Sequence, residues 1–198
     1  PETADKGVLA SASFRTDIAG DDKKMLLQNL RVSFDESTLT GEAGITDLDS
    51  LRQFARLSVD RLNADRYLPP PAPEAAPAAA PAAGDLIPVD LIKDLNLDAA
   101  LAIGSLKLMT YDISGFRVAV TAGNGVVNVS EFRGNILNGG FSAPLNLNVQ
   151  GPQPVIRLQP KLERMDIAPL AKALLKRDLL AGRASFNGNL TVSGNTTD

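Results

Sequence analysis

Three kinds of residue are absent from this sequence of 198 residues: histidine, cysteine and tryptophan. The lack of cysteine excludes disulfides, thiolate nucleophiles and zinc–thiolate sites. The lack of histidine removes the commonest general base and the commonest metal ligand. An enzyme would have to work with carboxylates, Lys, Tyr or Ser alone. We therefore expect a non-enzymatic protein with no catalytic residue, no metal and no cofactor.

Sequence motifs of catalysis and of nucleic-acid binding are also missing. The chain has no G-x-S-x-G and no glycine-rich phosphate loop. Asp47 and Asp49 begin like a calcium-binding loop, but Leu51 stands where the next ligand would be. The net charge of -3 and the aromatic content of 5% do not favour a phosphate-binding surface, so we expect no nucleic-acid partner.

Long apolar segments are lacking too. No run reaches the length of about 18 residues that a membrane-spanning helix needs, and no signal peptide is present. The chain begins with Pro1 and ends in a polar tail, so we interpret both ends as cut from a longer protein. Contact with a membrane would then go through parts that are not in this chain.

Proline and alanine dominate one segment, residues 69–84, which contains six of the 13 prolines. Such a composition cannot bury a core, and its prolines oppose a helix. The sequence therefore predicts three parts: the end of one β unit at 1–68, an exposed insertion at 69–84, and a second β unit with the start of the next at 85–198. Deleting residues 70–83 is predicted to leave the fold intact, because loop closure depends only weakly on length.

Apolar residues alternate with polar ones along most of the remaining chain. Residues 141–149 place Phe141, Leu145, Leu147 and Val149 on one side and Asn146 on the other. Similar alternation recurs near residues 8–18, 30–45 and 184–193. A period of two predicts strands with one apolar and one wet face.

Turns and phase shifts predict how these strands connect. Hairpin signals stand at 123–125 and 138–140, with weaker ones at 35–37 and 151–154. The alternation changes phase at Gly104, at Gly115 and between Val129 and Phe132, which predicts β-bulges. We expect an all-β fold: a highly twisted antiparallel sheet of consecutive hairpins. Two short helices are predicted, at 88–95, burying Leu91, Ile92 and Leu95, and at 167–176.

Four segments, in their order and spacing, resemble the AsmA family of bacterial envelope proteins. LSVDRLNADRYLPP at 57–70 resembles the end of one β unit, and IPVDLIKDLNLDAALAIGSLK at 87–107 looks like the opening of the next. MDIAPLAKALL at 165–175 and LAGRASF at 180–186 look like the following helix and strand. The resemblance covers roughly residues 29–194.

This resemblance implies a protein anchored in the bacterial inner membrane with its bulk in the periplasm. The family is associated with outer-membrane biogenesis, and its larger relatives look like bridge-like lipid-transfer proteins. It implies a phospholipid or other acyl lipid as the partner, with envelope proteins as further partners. It supplies no catalytic residues.

The apolar strand face allows two interpretations that the alternation alone does not separate. It is either a closed core, covered by a second sheet, or an open groove that shields acyl chains. The resemblance favours the groove and implies that the predicted hairpins form a groove-like repeat. The alternative function is a scaffold whose sheet edges bind outer-membrane assembly proteins by strand addition. The candidate lipid-facing residues are Phe116, Val118, Val120, Phe132, Phe141, Leu145, Leu147, Val149, Phe186 and Leu190.

Overall fold

The computed structural model describes residue 5 and residues 7–69, 87–109, 111–169 and 182–194. The described residues form one open, twisted sheet of 13 strands, with one short α-helix and one 3₁₀ turn (Ala64–Arg66). The strands are β1 (Ala12–Gly20), β2 (Met25–Phe34), β3 (Ser37–Asp47), β4 (Arg52–Asn63), β5 (Leu97–Leu108), β6 (Tyr111–Gly123), β7 (Val126–Ile136), β8 (Gly139–Ser142), β9 (Leu145–Asn148), β10 (Val155–Leu158), β11 (Lys161–Asp166), β12 (Arg183–Asn187) and β13 (Leu190–Ser193). The mainly β, hairpin-rich fold is confirmed.

The sheet is antiparallel between all neighbours except β4 and β5, which are parallel. Their register is unbroken from Gln53 opposite Leu97 to Asn63 opposite Lys107. The purely antiparallel prediction was wrong at this place because the connection between these strands contains the insertion, and a parallel pair needs a long crossover. The strands on both sides of the insertion belong to one continuous sheet. The division into β units stays a prediction.

Beyond β7 the sheet divides into two limbs. The second half of β7 pairs with β8, and its first half pairs with β9. The first limb continues through β11 and β12, and the second through β10 and β13. We call the line between the limbs the crease.

Successive strands are interrupted at the crease by residues that suit a break. Pro144 and Pro160 stand at two of the interruptions and lack an amide hydrogen, and Gly188 stands at the third. Single hydrogen bonds bridge the gaps, including Gln159 N–H to Pro144 O (3.0 Å) and Gly188 N–H to Pro160 O (2.9 Å). The two limbs are therefore bent segments of the same long strands.

Two of the three predicted bulges are present. The register between β6 and β7 shifts once at Gly115, whose φ is +60°, and again opposite Ser130. No shift occurs at Gly104, so that prediction was wrong. The phase does change in β5, where Ile103 and Leu106 are both buried. However, β6 changes phase at the same level, with Ile113 buried opposite Leu106, and the pairing is preserved.

The predicted turns are confirmed, and the helices are confirmed in part. Asn124 and Gly125, both with positive φ, join β6 to β7. The helix predicted at 88–95 is α1 (Val89–Asp94), but none of its three predicted core residues is buried: Leu91 is 73% exposed, and Ile92 and Leu95 are half-buried. A six-residue helix makes fewer than two turns and can present only a narrow side to the sheet. Most of the helix predicted at 167–176 lies outside the described residues.

The core is small and lies beside the phase change. Among the described residues only eight apolar side chains are buried, and four of them, Val59, Ile103, Leu106 and Ile113, form one cluster. Partly buried side chains from β3 to β8, including Leu101, Phe116 and Phe141, pack against it. The rest of the apolar surface is therefore not sealed by a second layer of described residues.

The carboxylates of Asp5 and Asp35 connect the start of the described chain to the 3₁₀ turn and the residue after it, through hydrogen bonds and an ion pair. Asp35 accepts hydrogen bonds from the Tyr67 hydroxyl (2.6 Å) and the Leu9 amide (3.0 Å), and these donors lower the pKa of Asp35. The Gly7 amide and the Arg66 guanidinium lower the pKa of Asp5 in the same way. Burial, assisted by Asp35, raises the pKa of Tyr67 to about 12.

We expect the hydrogen bonds of Asp5 and Asp35 to be lost at acidic pH. A carboxyl whose pKa is depressed by folding stabilises the fold above its unfolded pKa, about 3.9 for Asp, and that contribution disappears as the pH falls through the folded value. Amide exchange at Leu9 should therefore accelerate below pH ~4. In Tyr67→Phe, which lacks the hydroxyl donor, the acceleration should begin at higher pH. An exchange rate that follows only the intrinsic pH dependence in both proteins would contradict this.

Candidate functional site

One face of the sheet carries continuous rows of apolar side chains that run across the strands. Residues directly opposite each other on neighbouring strands share a face, so the register defines each row. The longest uninterrupted apolar row crosses ten strands: Ile18, Leu27, Ala43, Ala55, Ala99, Val120, Val129, Leu145, Leu158 and Leu190. We call the surface that contains this row the apolar face.

A second row lies beside the first and has one polar side chain, Gln53. It consists of Gly20, Met25, Ile45, Gln53, Leu97, Ala122, Val127, Leu147, Ile156 and Val192. Neither row contains an ionisable group. A ligand on this surface would thus meet aliphatic side chains over a distance of about 43 Å, at roughly 4.8 Å per strand.

Phenylalanine side chains concentrate where the two limbs separate. Phe132 contacts Phe116 edge-on with a centroid distance of 5.5 Å, and Phe141 at 5.9 Å with tilted planes. Phe141 lies opposite Leu162, which in turn lies opposite Phe186. These contacts make the limb of β8, β11 and β12 aromatic, whereas the limb of β9, β10 and β13 is aliphatic.

Nine of the ten predicted lipid-facing residues lie on the apolar face; the exception is Val149. Val120, Leu145 and Leu190 belong to the longest row, and Leu147 belongs to the second. Val118 and Phe132 lie opposite each other in a further row, and Phe116 lies opposite Ile103. Phe141 and Phe186 lie in the aromatic limb. Whether they contact lipid stays a prediction.

Val149 has to be corrected. Its side chain is 1% exposed, so it does not offer contact area to a ligand. Its amide donates to the Gly125 carbonyl at 2.8 Å, and the residue packs against the turn between β6 and β7. Val149 follows the last residue of β9, and alternation carries no information about a turn that packs against the end of a strand.

The middle of the apolar face is half-buried and its flanks are exposed. Val118, Val129 and Leu147 are half-buried. Ile18 on β1 is 73% exposed, and Val192 on β13 is 56% exposed. Of the described helical elements, the 3₁₀ turn contacts β5, and α1 contacts β6 and β7. Neither covers the whole width of the rows.

Sequence reasoning missed the contribution of β10. Ile156 and Leu158 occupy the ninth of the ten positions in the two long rows, between β9 and β13. The segment Val155-Ile-Arg-Leu158 is short, begins with two apolar residues and lies between Pro154 and Pro160, so it shows little alternation. A short apolar run between prolines was the available signal.

The described residues offer no arrangement typical of a metal site. In the described part of the chain, no group of three or more Asp or Glu residues is placed to hold a metal ion. No helix there is long and apolar enough to span a membrane. The feature with functional potential is therefore a surface rather than a pocket with reactive groups.

The fold and this surface define a class: open β-sheet proteins with one broad, partly uncovered apolar face. The chain belongs to the AsmA family, whose sequence profile matches residues 1–198. It is 21% identical over 201 residues to Protein AsmA of Escherichia coli (strain K12), which covers 94% of this chain. The match covers 33% of the E. coli protein, so this chain spans about a third of that relative. No solved structure matches the chain.

Proposed function

We propose that this chain is a segment of a periplasmic β-groove that shields phospholipid acyl chains on their way between the bacterial membranes. The parent protein is anchored in the inner membrane and serves outer-membrane biogenesis. The observation that carries the proposal is the uninterrupted apolar row across ten strands, on a face that the described elements leave largely uncovered. Membership in the AsmA group of envelope proteins supports it.

The chemistry of the face suits an acyl chain. Removing one methylene from water gains about 0.8 kcal/mol, so a dozen methylenes gain roughly 10 kcal/mol before the entropy costs of binding. Leu, Ile and Val provide this gain without directional hydrogen bonds, so a chain can shift along the face. Such a surface needs no catalytic group, in agreement with a non-enzymatic role.

Lipid extraction tests the proposal directly. The protein should be purified without detergent, extracted with organic solvent, and its lipids identified by mass spectrometry. We expect diacyl phospholipid in the extract, and uptake of phospholipid from vesicles by delipidated protein. A delipidated protein that takes up none would contradict the proposal and favour the scaffold.

A charge on the apolar face should separate lipid contact from folding. Leu147 is half-buried between Val127 and Ile156, so a carboxylate there keeps part of its hydration. We expect Leu147→Asp to remain folded and to lower crosslinking to a phospholipid with a photoreactive acyl chain about tenfold, a loss of ~1.4 kcal/mol. The measurement is crosslink yield together with the thermal midpoint.

Matched control changes lie on either side of Leu147. Asn146 faces the other way, opposite Arg157, and Asn148 accepts a hydrogen bond from the Gln150 amide, which a carboxylate also accepts. Asn146→Asp and Asn148→Asp should leave both folding and crosslinking unchanged. If Leu147→Asp unfolds instead, the side chain belongs to a sealed core, since an unpaired buried charge costs several kcal/mol, and the lipid assignment fails here.

The edges of the sheet support the second candidate, a scaffold that binds envelope proteins by strand addition. Within the described residues, β1 pairs only with β2, and β12 and β13 each have one neighbour. Unpaired edges are templates for an added strand. Under this alternative a partner protein, and no lipid, would copurify with the chain.

A further inference from the structure

The opposite, polar face carries a transverse row of its own that is rich in arginine. Starting from Arg15 on β1 and following the register to β12, the row contains Arg15, Arg31, Thr40, Ser58, Ala102, Arg117, Arg133, Ser142, Lys161 and Asn187. Five of these ten side chains are cationic and none is acidic. We call this set the cationic row.

Two pairs of arginines in the row lie directly opposite each other. Arg15 faces Arg31, and Arg117 faces Arg133. Like charges directly opposite on neighbouring strands destabilise a sheet. Arg133 forms an ion pair with Glu131 (3.6 Å), and Lys161 forms one with Glu163 (2.5 Å), so the positive charges of these two residues are compensated. Arg15, Arg31 and Arg117 form no ion pair with another described residue, so the row has uncompensated positive charge at both pairs.

A shallow depression lies between the two arginine pairs. Its volume is about 350 Å³, and its lining includes Thr40, Ser58, Ala102 and Arg117 of the row. Arg56 and Glu131 also line it, and each is already paired, with Asp98 and Arg133 respectively. Two hydroxyls and a small side chain in the middle leave room for a chain to pass close to the sheet. The hydroxyls can donate to carbonyl oxygens, and the arginines on both sides can pair with carboxylates.

We propose that the cationic row binds an extended acidic segment of a partner protein. The charge pattern requires an anionic partner, and the shape of the sheet selects a flexible one. Neighbouring strands rotate by about 20–25°, so nine steps along the row add up to roughly 200°. A planar bilayer cannot follow that rotation, whereas an extended peptide of about 13 residues can span the row at ~3.3 Å per residue. This inference does not depend on what the apolar face carries.

The test is peptide binding with a matched charge reversal. The probe is a fluorescein-labelled peptide of alternating Glu and Ser, followed by fluorescence anisotropy at low salt. Arg117→Glu and Arg157→Glu change the net charge equally, and both residues are exposed on the polar face of a strand. Arg157 lies outside the cationic row, opposite Asn146. We expect Arg117→Glu to weaken binding about tenfold and Arg157→Glu less than about twofold.

Each of the following outcomes would overturn the inference. Equal losses of affinity in the two variants would show that binding depends only on net charge. No peptide binding by the wild-type chain would show that the cationic row is not a binding site. Sedimentation with phosphatidylglycerol vesicles that is lost in Arg117→Glu, without peptide binding, would assign the row to a membrane surface. Binding of an alternating Lys and Ser peptide with equal affinity would exclude charge recognition.

Discussion

Deleting residues 70–83 is expected to disrupt the sheet, in contrast to the expectation from the sequence. At one end of β5, Asp65 accepts a hydrogen bond from the Met109 amide, just beyond the last residue of the strand. At the other end, Lys93 of α1 lies beside Gly125, close to the first residue of β5. The 12 residues of β5 separate these places by about 36 Å. The parallel pairing therefore requires the chain to travel back along the strands.

By this estimate the shortened connection is about 2 Å too short, even when it is fully extended and α1 covers part of the distance. After the deletion, six Cα–Cα steps join Tyr67 to Ile87, which reach about 21 Å at most. Even if α1 and the residues before it bridge roughly 13 Å, about 23 Å remain to be spanned. Either α1, the anchor of Tyr67 on Asp35, or the pairing of β4 with β5 must be lost. We expect the free energy of unfolding to fall by at least about 3 kcal/mol.

A shorter deletion is the control. Removing residues 76–82 leaves 13 steps between Tyr67 and Ile87, or about 45 Å, which is sufficient. This variant should unfold with nearly the wild-type midpoint in urea, because loop length itself has little effect. Equal stability of the two deletions would show that β4 and β5 do not pair as described.

Replacing Gly41 by alanine is expected to be the most damaging single change in the sheet. Gly41 lies on β3 between Leu30 and Leu57, with φ of +148°, which L-residues rarely adopt. A Cβ atom at this position would lie 2.0 Å from the carbonyl oxygen of Arg56. The backbone of β3 or β4 would have to move, and we expect a loss of about 3 kcal/mol in unfolding free energy.

Gly123 provides the comparison. A Cβ atom there meets nothing within 4 Å. Gly123→Ala should raise the free energy of unfolding slightly, by less than about 1 kcal/mol, because alanine is compatible with this backbone and restricts the unfolded chain. Urea denaturation of both variants gives the answer. A Gly41→Ala protein as stable as Gly123→Ala would contradict the close approach of β3 and β4.

The sequence predicted the local features of this fold well because alternation and turn residues are local signals. Asn124 and Gly125 define their hairpin by backbone preference alone, and Leu145 and Leu147 show their face by period two. The pairing of β4 with β5 was not predictable in this way, since it joins Gln53 to Leu97 across the insertion. The crease was equally hidden: Pro144 lay inside the single alternating run predicted at 141–149, and neither Pro144 nor Pro160 indicates a break until the register places the two prolines side by side.

The apolar face and the cationic row also differ in how far the sequence predicts them. The apolar face could be predicted because each strand carries its own share of it. The cationic row could not, because each strand contributes one side chain at most. Arg31 and Arg117 are far apart in the sequence, and the net charge of -3 suggests no anion-binding surface. Only the register of the sheet brings these residues into one line.

The parallel pairing of β4 and β5 also has a consequence for the order of assembly. Its partners are 44 residues apart, farther than the partners in any other described strand pair. Hairpins such as β2–β3 and β6–β7 close short loops, so they form early and independently, whereas the closure of a long loop is slow. Until β4 finds β5, each of these strands is an unpaired edge, open to strands of other chains. The period before this pairing is thus when the protein is most exposed to aggregation.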